Sequence, residues 1–354
     1  MRYLLKTLPL ILFLSACSAP HHPAATASPS PPKGEFLLDA THQHAPLSGD
    51  FASNPLTIKF IDRIVAEQGF DRQQLHDVLA QAQKLDWVIR LMDKQAPTLQ
   101  PESGPNGAWI RYRNKFITPE NVQNGVIFWN QYQDALVRAQ QTYGVPAEII
   151  VGIIGVETRW GKIMGKTRII DALATLSFDY PRRADFFTAE LETFLLMARK
   201  EGKDPLSLQG SYAGAMGYGQ FMPSSFKNYA VDFNHDGHIN LWDPVDAIGS
   251  IANYFSVHGW VKGGTVAIMA SGKNRSLQTG FKTRYRVSQL AKAGFSPTVK
   301  LDPEQQVSLL RFDMGKQYQY WYGLPNFYAI TRYNHSNHYA MAVWQLGLAV
   351  REAR

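Results

Sequence analysis

Cys17 is the only cysteine in 354 residues, so the chain can form no internal disulfide and no thiolate metal cluster. No basic run interleaved with aromatics appears, so nucleic acid is not an expected partner. The glycines between 210 and 219 are followed by no Gly-Lys-Ser/Thr, which rules out a phosphate-cradling loop. No repeat of solenoid length is visible. Hydrophobic residues make up 45% of the chain and aromatics 12%, enough for a sizeable core with tyrosines and tryptophans to spare.

The one cysteine has a position that explains it. Residues 1–16 hold Arg2 and Lys6, then a short apolar stretch from Thr7 to Leu14, then Ser15 and Ala16, the layout of a secretory signal. Its apolar stretch is too short to span a bilayer. Leu14-Ser15-Ala16-Cys17 resembles the bacterial lipobox, in which the cysteine becomes the acylated N-terminus; an ordinary signal cleaved elsewhere is the alternative. With Ser18 next, that resemblance implies an outer-membrane lipoprotein facing the periplasm, held in the inner leaflet through Cys17. The formal charge of +7 falls to +5 without Arg2 and Lys6, a mild excess suited to an acidic polymer or an anionic surface.

Residues 17–50 are rich in Pro, Ala, Ser and Thr and read as a tether. The catalytic or binding part is then 51–354. Helical periodicity marks Asn54 to Gln68, Asp71 to Ala80, Ile127 to Tyr143, Ala147 to Thr158 and Arg183 to Glu201. Pro244 to His258 follows, with Asp243 as cap, and Tyr339 to Arg351 closes the chain. Between 259 and 333 short alternating stretches, Thr283 to Val287, Thr298 to Leu301 and Gln306 to Phe312, read as a strand-containing insertion. The expected fold is α+β and predominantly α: a helical part over about 51–145 with 339–353, a core over about 146–258, and the small β-rich insertion.

Three constellations carry chemistry. Glu157 ends an apolar helix beside Ile153, Ile154 and Trp160, where desolvation would keep its carboxyl protonated and able to act as a general acid. A surface pair with Arg159 is the alternative. Residues 210–225, Gly-Ser-Tyr-Ala-Gly-Ala-Met-Gly-Tyr-Gly-Gln-Phe-Met-Pro-Ser-Ser, read either as a loop brought close to a ligand or as a tight structural turn. The stretch 232–243 places Asp232, Asn234 and Asp236 at positions 1, 3 and 5, Gly237 at 6, the His238 carbonyl at 7 and Asp243 at 12. That is EF-hand spacing with Asp where Glu is usual, and its all-oxygen donors favour structural Ca²⁺. His335 and His338 lack further ligands at suitable spacing.

Glu-Thr-Arg-Trp-Gly followed by Gly-Ala-Met-Gly-Tyr-Gly-Gln-Phe-Met-Pro-Ser-Ser closely resembles the membrane-bound lytic murein transglycosylase B family, lysozyme-like enzymes of glycoside hydrolase family 103. The likeness runs from about Phe51 to the C-terminus, through Asn-Leu-Trp-Asp-Pro-Val-Asp-Ala-Ile-Gly-Ser and Arg332-Tyr333-Asn334. It implies a lysozyme-like core and non-hydrolytic cleavage of the N-acetylmuramic acid to N-acetylglucosamine bond of peptidoglycan. Glu157 would be the single acid and base, no cofactor would enter the chemistry, and 1,6-anhydro ends would result. Ser211, Met216, Gln220, Phe221, Tyr254, Tyr333, Asn334 and Tyr339 would contact glycan. Arg182 and Arg183 would face peptide-stem or lactyl carboxylates, and cell-wall synthesis or hydrolysis proteins would be possible partners. A hydrolytic muramidase, with Asp171 for instance as second carboxylate, and a non-catalytic peptidoglycan-binding lipoprotein are the rival readings.

Overall fold

A computed structural model of the chain describes residues 47–95, 105–274 and 276–354. The expected signal segment, Cys17 and all but the end of the tether lie outside the described residues. In chain order the helices are α1 (Pro55–Gln68), α2 (Arg72–Ala80), α3 (Asp86–Gln95), α4 (Ala108–Arg113), α5 (Pro119–Gln131), α6 (Gln133–Tyr143), α7 (Ala147–Thr158), α8 (Ile169–Phe178), α9 (Ala184–Lys200), α10 (Pro223–Tyr229), α11 (Pro244–Val257), α12 (Val287–Lys292), α13 (Pro325–Tyr333) and α14 (Asn337–Glu352). The strands are β1 (Thr167–Arg168), β2 (Gln209–Gly210), β3 (Ala267–Ser271), β4 (Tyr285–Arg286), β5 (Ser296–Pro297), β6 (Gln306–Asp313) and β7 (Tyr318–Gly323). Among the described residues no helix is long and apolar enough to cross a membrane. Two compact units divide them, 105–160 with 251–354 and 47–95 with 161–250.

The first unit is built on α7. Every residue of this helix except Glu148 is buried, as its apolar run Ile149 to Val156 requires of an interior helix. α14 packs along it, and glycines set the approach. A Cβ at Gly347 would stand 2.0 Å from the Glu148 carbonyl oxygen, and one at Gly152 would stand 2.2 Å from that of Val343. Neither gap can hold a methyl group, so the two backbones touch only because both positions are glycine. Ser336 fixes where α14 starts, its hydroxyl accepting the Tyr339 amide.

The same unit carries an antiparallel sheet of order β4-β6-β7-β3-β5. β6 and β7 form a hairpin registered from Ser308 opposite Gly323 to Asp313 opposite Tyr318. Under the sheet lie Ile268, Val287, Leu290, Phe295, Val307, Leu309, Tyr320 and Tyr322. Asp313 ties the hairpin to the entry of α4, its carboxylate accepting the amides of Asn106 at 2.7 Å and Gly107 at 2.8 Å.

In the second unit α8 is entirely buried and packs against α9, which also supports α10. Glu190 of α9 is buried and takes both the amide and the hydroxyl of Ser224, at 2.8 and 2.6 Å. That bond fixes the first turn of α10. Asn54 and Asp71 cap α1 and α2 through their side chains, as residues of their type do.

Several elements depart from expectation. The helix expected over Ile127 to Tyr143 is two, because Tyr132 leaves helical dihedrals at φ −114° and ψ 27°. Hydrogen bonds run on through the step, from the Tyr132 amide to Phe128 and from the Leu136 amide to Tyr132, so periodicity survives the break. Thr283 to Val287 supplies only the short β4 before turning into α12, and Thr298 to Leu301 lies beyond β5 rather than in a strand. β3, β7 and α13 were not expected within 259–333. β7 (Tyr-Gln-Tyr-Trp-Tyr-Gly) is covered to some degree at every position, which erases the two-residue alternation that marks a half-buried strand.

Gly347→Ala should lower the Tm by several degrees in differential scanning calorimetry. Overpacking of this kind costs about 1–3 kcal/mol, and each kcal/mol moves the Tm by about 2–4 °C in a domain of some 150–250 residues. An unchanged Tm would mean that α14 can lift off α7 at little cost.

Candidate active site and metal-binding loop

Glu157 sits on the last turn of α7, 4% exposed. Burial pushes its carboxyl up to about 7, against a partial opposing pull from the hydrogen bond of Tyr339. Its place at the negative end of the helix dipole acts in the same direction as burial. The Tyr339 hydroxyl donates to Oε1 at 2.5 Å. Behind it the chain turns back through two consecutive left-handed residues, Arg159 at φ 49° and Trp160 at φ 56°. Their amides bond to the carbonyls of Gly155 and Ile154. Side chains seldom tolerate that conformation. Here the Trp160 indole wedges it in place, filling the spaces over Gly155 and Gly125 where a Cβ would come within 2.6 and 2.7 Å of its ring. The surface pair with Arg159 does not form; Arg159 reaches the Lys115 carbonyl instead.

A column of tyrosines backs the carboxyl. Tyr339 lies parallel to Tyr333, centroids 6.4 Å apart at 11°; Tyr333 meets Tyr254 edge-on at 4.9 Å; Tyr254 stacks on His258 at 3.9 Å. Tyr254 donates its hydroxyl to the Arg332 carbonyl at 2.7 Å. Burial and then the Glu157 charge hold Tyr333 and Tyr339 well above the usual phenol range, so both remain neutral donors. Tyr112 of α4 is raised by the same two causes and was not singled out from the sequence. Its signal was there, in the helical spacing of Trp109, Tyr112 and Phe116. Asn334 is 7% exposed, and its side-chain oxygen has no hydrogen-bond partner among the described residues.

The glycine-rich stretch belongs to the second unit. Met216 and Phe221 pair as an isolated antiparallel bridge and are buried, with Gln220 left-handed at φ 52° between them. Gln220 donates to the carbonyls of Gly217 at 2.9 Å and Met164 at 3.2 Å, which anchors its side chain. Ser211 accepts the amides of Ala215 and Ala213. Gly217 cannot be replaced, since a Cβ there would lie 2.1 Å from the Leu241 oxygen. The stretch is therefore a tight turn, and it fixes the four candidate side chains in place.

The 232–243 loop winds as its spacing requires, with His235 and Gly237 at positive φ. Asp232 accepts the amides of His235, Asp236 and Gly237, at 2.7, 3.2 and 2.9 Å. Asp236 takes the amide of His238. Asp243 takes the capping part expected of it, its Oδ1 accepting the amides of Val245 and Asp246 at the start of α11. The carboxylate turned onto the loop is that of Asp246, fully buried, which accepts Phe233 at 2.8 Å, Asn234 at 3.1 Å and Asn240 at 2.8 Å. No group of three or more His, Cys, Asp or Glu gathers among the described residues. The donors of the loop are carboxylates, an amide and a backbone carbonyl, all oxygen, and that set fits a hard cation.

Arg182 forms an exposed ion pair with Asp93 at 3.6 Å. Arg183 lies over the rings of Phe186 and Phe187, at 4.2 and 5.3 Å. Asp171 is bound by Arg168 at 2.8 Å and by the Gln83 amide at 2.9 Å, which occupies it structurally.

A family model described as the transglycosylase SLT domain matches residues 53–348. The chain is 68% identical over 350 residues to the membrane-bound lytic murein transglycosylase B of Escherichia coli K12, covering 98% of this chain and 97% of that one. It resembles the solved structure of the E. coli lytic transglycosylase Slt35 in complex with calcium, with a TM-score of 0.85 and 68% identity over 90% of this chain and 99% of that one. It also resembles Pseudomonas aeruginosa SltB3 in complex with NAG-NAM-pentapeptide, with a TM-score of 0.72 and 29% identity over 83% and 78% of the two chains.

The raised Glu157 predicts a pH-dependent stability. Its folded value of about 7 exceeds the ordinary 4.5, so its contribution is fully present below pH 4.5 and is lost as pH rises through 7. The loss is on the order of 3 kcal/mol. Glu157→Gln cannot ionise, so its Tm should match the parent near pH 4.5 and exceed it by several degrees at pH 8. A constant difference across that range would show that Glu157 titrates like an exposed carboxyl.

Proposed function

The chain belongs to the lytic murein transglycosylase family defined by the SLT domain, and we propose that it cleaves the glycan strands of peptidoglycan with Glu157 as its one acid and base. The observation that carries this reading is the burial of Glu157 on Tyr339, which leaves the carboxyl near pH 7 balanced between protonated and ionised forms. A group so balanced can both give and take a proton at neutral pH.

In the first step the protonated Glu157 gives its proton to the glycosidic oxygen, and the bond from muramoyl C1 breaks. The substrate's own N-acetyl carbonyl supports the positive charge left on C1, replacing the second carboxylate of most glycosidases. In the second step the ionised Glu157 takes the proton of the C6 hydroxyl as that oxygen closes on C1. The carboxyl is restored, water is not consumed, and the product ends in a 1,6-anhydro ring. Tyr339 stabilises the ionised stage by donating to it. Asn334, with its open acceptor, together with Tyr333 and Tyr254, would hold the sugar. Ser211, Met216, Gln220 and Phe221 are the glycan contacts proposed within the second unit. The engagement of Asp171 by Arg168 supports a mechanism with one carboxyl.

Calcium enters as a structural ion. The relative Slt35 was solved in complex with calcium, and the loop here offers Asp232, Asn234, Asp236 and the His238 carbonyl, with Asp246 on its inner side rather than Asp243. The ion would brace the loop and supply nothing to the reaction. Anchoring through Cys17 at the outer membrane, facing the periplasm, is the reading that Leu14-Ser15-Ala16-Cys17 supports, in agreement with the membrane-bound name of the E. coli relative.

Purified sacculi digested with the protein lacking residues 1–17 should release muropeptides one water lighter than hydrolysed ones by mass spectrometry, and Glu157→Gln should release none. Hydrated reducing ends would make the protein a muramidase, and binding without release would leave a non-catalytic lipoprotein. Millimolar Ca²⁺ should raise the Tm, with reversal by chelator and no increment in Asp232→Ala, since a ligand that binds the folded state stabilises it. Equal melting with and without the ion would remove calcium from the account.

A further inference from the structure

A groove enclosed by β6, β7 and the start of α13 takes no part in the chemistry above. It holds about 390 Å³ and is lined by His258, Arg284, Gln306, Ser308, Leu324 and Tyr328 among others, with no acidic side chain in its wall. That volume falls within the range of ligand sites.

Arg284 is its organised group. The Nη1 of Arg284 donates to the carbonyls of Phe281 and Thr283, each at 2.9 Å, and to the Ser308 hydroxyl at 3.2 Å. The guanidinium lies 4.7 Å from the Tyr328 ring centre. Its Nε and Nη2 protons find no acceptor among the described residues, so the fork edge that matches a carboxylate is oriented and unused. Arg332 approaches the same ring at 5.3 Å and donates to the Tyr328 hydroxyl at 2.9 Å. The positive end of α13, whose cap residue Leu324 gives no side-chain bond, adds to the field.

We propose that this groove is a carboxylate-binding subsite for the peptide stem of the glycan substrate, with Arg284 as its two-pronged anchor. The assignment rests on the preceding reading of the substrate. The groove lies in the same unit as Glu157, and its wall residue His258 stacks on Tyr254, whose ring contacts run through Tyr333 and Tyr339 to Glu157. The ligand in the SltB3 structure carries a pentapeptide. The arginines expected from the sequence to meet stem carboxylates, Arg182 and Arg183, lie by Asp93 and over phenylalanine rings; Arg284 adds a further candidate, with a fork edge that no described residue occupies.

The test compares the parent with Arg284→Ala, Arg284→Lys and Gln306→Glu on peptide-bearing strands, on strands stripped of peptides by an amidase, and by calorimetric titration of a synthetic stem pentapeptide and its fully amidated form. Gln306 has an exposed side chain, so Gln306→Glu sets a negative charge in the groove without disturbing the turn that Arg284 holds. All three variants should raise KM on peptide-bearing strands by about tenfold, the scale of one charge-assisted contact, and leave kcat and both constants on stripped strands unchanged. The pentapeptide should lose affinity by the same factor, and its amidated form should bind the parent no better than the variants. Equal losses on stripped strands, or a pentapeptide affinity that no variant changes, would overturn the assignment. If no strand is cleaved at all, the reading of the substrate fails, and the titration decides the subsite by itself.

Discussion

The approach of α14 to α7 is the constraint on which the site depends. Two carbonyl oxygens, of Glu148 and Val343, occupy the space that side chains at Gly347 and Gly152 would need. With the backbones that close, Tyr339 at the start of α14 reaches the carboxyl at the end of α7. Side chains at those two positions would hold the helices apart and open the contact to water, which removes the burial that raises the carboxyl. The unusual acidity of Glu157 is thus a packing property before it is an electrostatic one.

Around that contact the unit spends stability in several places. Two successive residues hold left-handed backbone without being glycine, the Trp160 indole nitrogen is buried without a partner, and a carboxyl is desolvated. Each is unfavourable taken alone. They persist because the Trp160 ring, Gly125 and Gly155 leave the turn no other shape, and the cost is met by an interior helix buried along nearly its whole length. Unfavourable features gathered at one carboxyl are the pattern expected where function, rather than folding, has set the local structure.

The lysozyme-like, mainly helical α+β fold was legible because its helices carry strong local signals. Asn54, Asp71 and Ser336 cap where their residue types favour it, and α7 is apolar throughout. The buried carboxyl of Glu157 was legible for the same reason, as a lone carboxylate closing an apolar run. What periodicity could not reach was set by tertiary packing. β7 is covered on both faces, Tyr132 breaks a helix whose hydrogen bonds continue, and α12 starts at the end of the alternating stretch Thr283 to Val287 that favoured a strand. The metal loop shows the limit most clearly. Spacing alone singles out Asp243, yet its oxygen is taken by the first amides of α11, and the carboxylate that turns inward comes one turn later. Asp243 carries both a loop-position signal and a helix-cap signal, and the folded backbone shows the second one realised.

The bond between Tyr339 and Glu157 joins residues 182 positions apart, and α14 is the last helix of the chain. Contacts between such distant segments form late, after the loop between them has closed. Before α14 docks, the end of α7 lacks one of its walls, and the Glu157 carboxyl has no Tyr339 hydroxyl to donate to it. The pairing is thus a late product of folding, made by segments that lie far apart in the chain.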